Sequence, residues 1–459
     1  MTTDPTPSGP ISWPEALRVW TRIALLSFGG PTGQIAVMHR ILVEERRWIS
    51  EERFLHALHF CMLLPGPEAQ QLATYIGWLA HRTLGGLVAG TLFVLPGFLA
   101  ILGLSIVYVE GQDWTLIQGL FLGLKPAVIA LVAEAVLRMG RRALRRRVLV
   151  IVAALSFVAI GLCQIPFPWI ILAAGVAGFL GAQWRPEWFT FRPTQHTLST
   201  DSSGSSAAEP PERLAPSNLP RPSWNRAARI SLLCLPLWFG PILALGSWQG
   251  STSVYVQQGL FFSKAAVVTF GGAYSVLSYV AQEAVERHHW LESADMLAGL
   301  GLAESTPGPL IMVVQFVGFL GAYRQPGTLS PLAGGILASC LTTWVTFLPC
   351  FYLIFLGAPS VEALRNQPRV RTALATISAA VVGVVLQLAL WFAGQTLFAS
   401  VQTWNWGFGQ LTLPTLTSVR LPELTIALVA ATLMWGARRG VGWTLATGAV
   451  LGIVWTMCS

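Results

Sequence analysis

The sequence predicts an all-α polytopic membrane protein made of two homologous, inverted repeats, with helices broken at Phe-Gly-Gly and Pro-Gly-Pro motifs. Three observations predict it. The 459 residues are 53% hydrophobic and 11% charged, with a mean hydropathy of +0.59, whereas a soluble domain carries about 25% charged residues. Apolar runs long enough to enter a bilayer recur along the chain. The motifs Phe28-Gly29-Gly30 and Leu64-Pro65-Gly66-Pro67 return 242 residues later as Phe270-Gly271-Gly272 and Thr306-Pro307-Gly308-Pro309. The same shift puts Arg22 on Lys264, Glu44 on Glu286, Trp48 on Trp290 and Arg82 on Arg324. Internal repeats of this kind are common in secondary transporters.

In chain order, residues 1–10 are polar and lack the basic-then-apolar pattern of a cleaved leader. An amphipathic lead-in at 11–22 runs into an apolar stretch interrupted at Phe28-Gly29-Gly30-Pro31. A charged loop at 40–53 precedes the run 56–80, which holds the first Pro-Gly-Pro. Spans are predicted at 84–109, 115–137, 148–163 and 169–182. A Pro-, Ser- and Arg-rich stretch at 184–229 reads as a solvated cytoplasmic linker. It divides the chain into a first repeat at 1–183 and a second at 230–459. Further apolar runs cover 230–248, 254–280, 296–323, 331–356, 371–393, 421–435 and 441–458.

The net charge of +8 comes from arginines crowded into short loops, the positive-inside pattern of a membrane protein rather than a nucleic-acid footprint. The stretch 138–147 holds six arginines, while its counterpart in the second half, 394–420, holds one. The loop at 40–53 has four arginines; 283–295 has only Arg287 against four acids. The loop after residue 109 has acids and no base, and its counterpart, 358–371, has Arg365, Arg369 and Arg371. Each basic loop faces a base-poor one, which predicts inverted repeats. The six cysteines form no C-x-x-C pair, and His56 and His59 have no third ligand, so no disulfide framework and no metal site is expected. No Walker loop, nucleophile elbow or H-E-x-x-H pattern is present. The chain is therefore expected to be no enzyme, to use no cofactor and to couple to no ATP of its own.

The candidate site residues follow from backbone physics. Proline lacks an N–H and clashes with the preceding turn, so a helix does not run undisturbed through Pro65-Gly66-Pro67 or Pro307-Gly308-Pro309. A new half-helix is expected to start near Pro67 or Pro309. Its free amides and partial positive charge make an anion site where water is scarce. Adjacent glycines at Gly29-Gly30 and Gly271-Gly272, each after a phenylalanine (Phe28, Phe270), permit backbone turns closed to other residues. The chain's two lysines, Lys125 and Lys264, both lie in apolar runs, where an ionised lysine costs about 2.5–3.5 kcal/mol on insertion scales. With Arg22 they read as counter-charges for an anion. Gln71 follows the first break as a hydrogen-bonding group, with Gln70, Thr74 and Tyr75 beside it. Glu68 is the candidate for carrying a coupling proton. Glu134 and Glu304 are expected to pair with nearby arginines.

Phe28-Gly29-Gly30-Pro31 with Ile35-Ala36, Trp48, Leu64-Pro65-Gly66-Pro67 with Ala69-Gln70-Gln71, and Tyr75-Ile76-Gly77 together resemble the chromate ion transporter family. Phe270-Gly271-Gly272, Trp290, Pro307-Gly308-Pro309 and Gly318 resemble a second copy of the same domain, in its long two-domain form. The resemblance implies a bacterial inner-membrane carrier that exports chromate, confers chromate resistance and is driven by the proton-motive force. Sulfate is implied as the related, competing oxyanion, and a homodimer is compatible with it. The residues alone say small anion; a carrier for another oxyanion such as sulfate stays open. So do two readings of other classes, an integral membrane enzyme and a scaffold without substrate.

Overall fold

The computed structural model describes residues 11–28, 30–184, 213–214, 223–270, 272–358, 368–406 and 409–458. Gly29, Gly271 and most of the linker expected at 184–229 lie outside the described residues. Among the described residues the chain is helical apart from one hairpin.

The first repeat opens with α1 (Trp13–Leu26), α2 (Gly30–His39), a π-helical turn (Arg40–Glu45) and α3 (Glu51–Cys61). The long α4 (Glu68–Glu110) is kinked at His81 and Arg82, whose backbone angles are not helical. There follow α5 (Thr115–Ala143), α6 (Arg147–Gly161) and α7 (Phe167–Trp184). After the linker come α8 (Trp224–Gln249), α9 (Val254–Val268), α10 (Ala273–Ala281), a second π-helical turn (Gln282–Arg287) and α11 (Ser293–Ser305). A 3-10 turn (Leu310–Met312) leads into α12 (Val313–Arg324), followed by α13 (Pro331–Gly357) and α14 (Pro368–Leu397). The hairpin β1 (Val401–Trp406) and β2 (Gly409–Pro414) precedes α15 (Leu421–Ala431), a third π-helical turn (Thr432–Gly436) and α16 (Val441–Cys458). Among the described residues, seven helices are long and apolar enough to cross a membrane, and three more apolar helices are shorter.

The duplication is visible in the backbone itself. The π-helical turns at Arg40–Glu45 and Gln282–Arg287 are 242 residues apart, as are the left-handed residues Arg47 (φ 50) and His289 (φ 52) that end them. The tryptophan that follows each turn is buried as a core plug: Trp48 against Trp20, and Trp290 against Phe262, again at equivalent positions. Burying an aromatic ring of this size is worth several times RT, which is why a tryptophan holds both places.

The halves are interlocked. The later part of α4 (Val94, Ile101, Tyr108) belongs to a core that α5, α6 and α7 share with the second repeat, and the end of α13 (Ile354, Phe355) belongs to the core of the first helices of the chain. Helices α5 and α16 approach through glycines: a Cβ on Gly123 would sit 1.9 Å from the Gly448 carbonyl oxygen, and one on Gly452 2.2 Å from that of Gly119. Small residues at four-residue spacing let backbones meet where lipid gives no hydrophobic drive for association.

Two linker residues are seated on the first repeat. Arg213 donates to both carboxylate oxygens of Glu15 at 2.7 and 3.1 Å, and the Leu214 amide donates to the Trp48 carbonyl at 3.0 Å. The Arg213 hydrogen bonds hold the Glu15 carboxyl below the usual carboxylate range.

Candidate functional site

Each repeat has two breaks, and the four breaks meet in two crossings. Helix α1 ends at Ser27 and α9 at Thr269, and each hydroxyl folds back on its own helix: Ser27 onto the Ile23 carbonyl at 2.6 Å, Thr269 onto that of Ala265 at 2.6 Å. The backbone carbonyls of these two residues have then left the helix. They are taken up by the opposite repeat. The Gly66 amide donates to the Thr269 carbonyl at 2.9 Å, and the Gly308 amide donates to the Ser27 carbonyl at 2.9 Å. Residues 66 and 308 are equivalent, and so are 27 and 269, so the two bonds are one contact exchanged between the copies, as a two-fold relation requires. Orphan amides and carbonyls are costly in a bilayer. Here the Pro-Gly-Pro break of each half satisfies the Phe-Gly-Gly break of the other.

Local sequence sets up the geometry. Gly66 (φ 115) and Gly308 (φ 105) lie where L side chains are strained, and both are buried. Gly30 (φ 70) and Gly272 (φ 97) turn the chain into α2 and α10 in the same way. The space is also closed: a Cβ on Gly66 would lie 2.8 Å from Cys350 Sγ, and one on Gly308 2.9 Å from Gly97 Cα. Gly97 and Cys350 each follow a proline inside a long helix (Pro96 in α4, Pro349 in α13), so these neighbours are themselves equivalent. Gln34 of α2 donates to the Gly308 carbonyl, and Gln71 donates to the Pro65 carbonyl at 2.6 Å.

The structure places the expected site residues as follows. Pro65, Gly66, Pro67, Pro307, Gly308 and Pro309 form the breaks, and the new helices start one residue later than Pro67 and Pro309, at Glu68 and Leu310. Gln71 joins them. Phe28, next to Ser27 of the Gly308–Ser27 crossing, is 47% exposed. The Gly66 and Gly308 amides are not free, being spent on the crossings. Among the described residues, no acceptor takes the first-turn amides after either break, Glu68, Ala69 and Gln70 in the first repeat and Leu310 and Ile311 in the second, since the first to bond back are Gln71, to Pro67, and Met312, to Pro309. Glu68 itself is half-buried in this turn, with Arg142 acting on it from a distance.

The three cations are not brought together. Arg22 is bound to Glu45 at 2.7 Å on the surface. Lys264 is exposed on α9, its ammonium 5.8 Å from the centre of the Tyr279 ring. Lys125 lines a separate cavity of about 360 Å³ with Tyr108, Gln112, Gln118, Thr396, Arg420 and Glu423. Glu134 does pair with Arg138, at 3.6 Å. Glu304, expected beside an arginine, instead accepts the Tyr274 hydroxyl.

Sequence reasoning missed Ser27, Thr269, Gln34, Gly97 and Cys350. A signal existed for the first two: a hydroxyl residue stands immediately before Phe-Gly in both copies. Beside the first break, Gln70 Oε1 and Gln71 Oε1 on α4 are buried and have no partner among the described residues. No group of three or more His, Cys, Asp or Glu side chains that could hold a metal occurs among the described residues. Backbone N–H groups, side-chain amide N–H groups and hydroxyls around a helix start can donate to a small anion and release it.

A family model described as "Chromate transporter" matches residues 14–179 and 256–453, one segment in each repeat. The chain is 31% identical to "Chromate transport protein" of Pseudomonas aeruginosa over 93% of its own length and 87% of the relative's. It is 28% identical to "Chromate transport protein" of Cupriavidus metallidurans, over 81% of this chain and 80% of that one. To "Probable chromate transport protein" of Synechococcus elongatus it is 26% identical over 92% and 95%. No solved structure matches. With both repeats matched, the chain belongs to the chromate transporter family.

Proposed function

We propose that the protein is a secondary carrier that exports chromate across the bacterial inner membrane, driven by the proton-motive force, with sulfate competing for the same site. The observation that carries this reading is the pair of crossings Gly66–Thr269 and Gly308–Ser27. A carrier needs one site reached alternately from two sides, and broken helices of paired repeats at the middle of the membrane provide it. Arginine-rich loops that face arginine-poor ones at equivalent positions support an in-plane axis, with the repeats inverted and the linker cytoplasmic. The anion then takes the first-turn amides of α4, Glu68 to Gln70, when the crossings part. Glu68 is the acid that the first repeat offers for proton coupling. Arg22, Lys125 and Lys264 attract the dianion towards the breaks without touching it there.

Chromate and sulfate share charge and shape. A pocket of backbone donors discriminates such close analogues weakly, by about 1–3 kcal/mol on the scale of one methylene. Chromate accumulation by everted membrane vesicles, with and without a protonophore and with sulfate added, tests the reading. Accumulation that the protonophore abolishes and sulfate inhibits is expected. A change in chromium oxidation state would point to an enzyme, and no accumulation at all would contradict a carrier.

A further inference from the structure

The second repeat holds a buried acid where the first has none. Glu304 stands in the last turn of α11, two residues before Thr306, and is 6% exposed. Tyr274, in the first turn of α10, donates its hydroxyl to Glu304 Oε1. One hydrogen bond thus ties the helix that starts after the Phe-Gly-Gly break to the helix that ends before the Pro-Gly-Pro break. In the first repeat the equivalent residues are Thr32 and Met62, which cannot make it. The charged and titratable groups acting on the Glu304 carboxylate, among the described residues, are Tyr274 from α10 and Arg138 from α5. Helices α4, α12, α14, α16 and the 3-10 turn also pack on α11 and add none. Arg138 is shared with Glu134, 3.6 Å away, which also accepts the Trp435 indole N–H at 2.8 Å. It opens the arginine run 138–147 that marks the cytoplasmic side.

We propose that Glu304 is a second proton-carrying residue of the transport cycle, needed alongside Glu68, and that Tyr274 is its positioning residue. The proposal rests on the reading of the protein as a proton-driven oxyanion carrier. While Glu304 is ionised, the phenol donates a charge-assisted hydrogen bond and clamps the two breaks of the second repeat together. A proton that binds a carboxylate oxygen removes the negative charge and weakens that bond, so the breaks part. Release of the proton on the cytoplasmic side, favoured by the Arg138 cation, restores the clamp. A buried acid with one hydrogen-bond partner and no dedicated cation can change its charge at modest cost, which a tight ion pair cannot.

The full-length protein reconstituted in liposomes separates the two halves of this idea. Two assays are run: chromate accumulation driven by an imposed proton gradient, and chromate–chromate exchange with no gradient. Glu304→Gln is expected to lose at least tenfold in driven accumulation while exchange persists within about threefold of wild type. Tyr274→Phe is expected to keep both and to move the pH at which driven accumulation is half-maximal. If Glu304→Gln fails to reach the membrane, Glu304→Asp carries the test, with a displaced pH profile expected and an unchanged one overturning the assignment. Driven accumulation at the wild-type level in Glu304→Gln overturns it, as does equal loss of both activities at wild-type thermal stability. A wild-type protein that exchanges chromate but ignores the proton gradient instead refutes proton drive itself, and the assignment falls with it.

Discussion

The amide of Gly66 donates to the carbonyl of Thr269, and 242 residues on, the amide of Gly308 returns the same bond to Ser27. In each repeat the carbonyl freed where the first helix ends is satisfied by the Pro-Gly-Pro amide of the other copy, so the two copies complete one another's backbone at the site.

The two glycines should be intolerant of side chains, but unequally. Their φ values of 115 and 105 would impose about 1–3 kcal/mol of strain on alanine at either place. At Gly66 the new Cβ meets the Cys350 sulfur, a side-chain atom, whereas at Gly308 it meets the backbone of Gly97. Gly308→Ala is therefore expected to lower the melting temperature in detergent more than Gly66→Ala, and both to abolish chromate accumulation. Equal stability of the two variants would contradict the packing argument.

The lysines should act at a distance. Lys264 is exposed and Lys125 lines its own cavity, so Lys264→Ala and Lys125→Ala are expected to slow uptake at low chromate by roughly two- to tenfold while maximal velocity stays near wild type. Exposed charges are screened within about 10 Å at 0.1 M salt, so the Lys264→Ala defect should shrink as ionic strength rises, and the Lys125→Ala defect less. Loss of maximal velocity in either variant would place that lysine on the bound ion.

The seat of the linker should respond to pH. Glu15 has its carboxyl lowered by the hydrogen bonds from Arg213, so this contact stabilises the folded protein above the carboxyl's unfolded value, about 4.3. It is lost as pH falls through the lower folded value. Arg213→Ala removes a bidentate charged pair worth about 2 kcal/mol. Limited proteolysis of the linker should quicken in that variant at neutral pH, and in the wild type only in acid. Cleavage that is insensitive to both would show that Arg213 does not fasten the linker.

How much of this was legible in the sequence depends on the range of the interaction. The breaks at Pro65-Gly66-Pro67 and Pro307-Gly308-Pro309 were readable because proline and glycine dictate their own backbone. The places of Trp48 and Trp290 were readable because the repeat fixes their register. The crossings were not: Gly66 and Thr269 are brought together by how two halves dock, and nothing local to either residue encodes it. The surroundings of Lys264 and Glu304 were not legible for a related reason. An apolar run says that a charge is near the membrane, but not which face of the helix bears it, and so Glu304 was assigned an arginine where the fold supplies Tyr274. The hairpin at Val401–Trp406 and Gly409–Pro414 lay in a stretch counted only for its charge, although Val401, Thr403, Trp404 and Trp406 are strand formers.

Inversion of the repeats is open to a direct check. Arg142 on α5 and Gln402 on β1 are both exposed and follow equivalent spans of the two copies. Cysteines placed at the two positions in a cysteine-depleted background should be labelled by an impermeant reagent from opposite sides of the membrane. Labelling of both from one side would make the repeats parallel.

The central claim is that a small oxyanion binds where the crossed breaks part, on the first-turn amides of α4. Chromium anomalous scattering from crystals of the protein grown with chromate locates the ion without assumption. The account predicts a peak within hydrogen-bonding reach of the Glu68, Ala69 and Gln70 amides, with at least one of the Gly66–Thr269 and Gly308–Ser27 bonds opened. A peak in the Lys125 cavity, with both crossings intact, would contradict it.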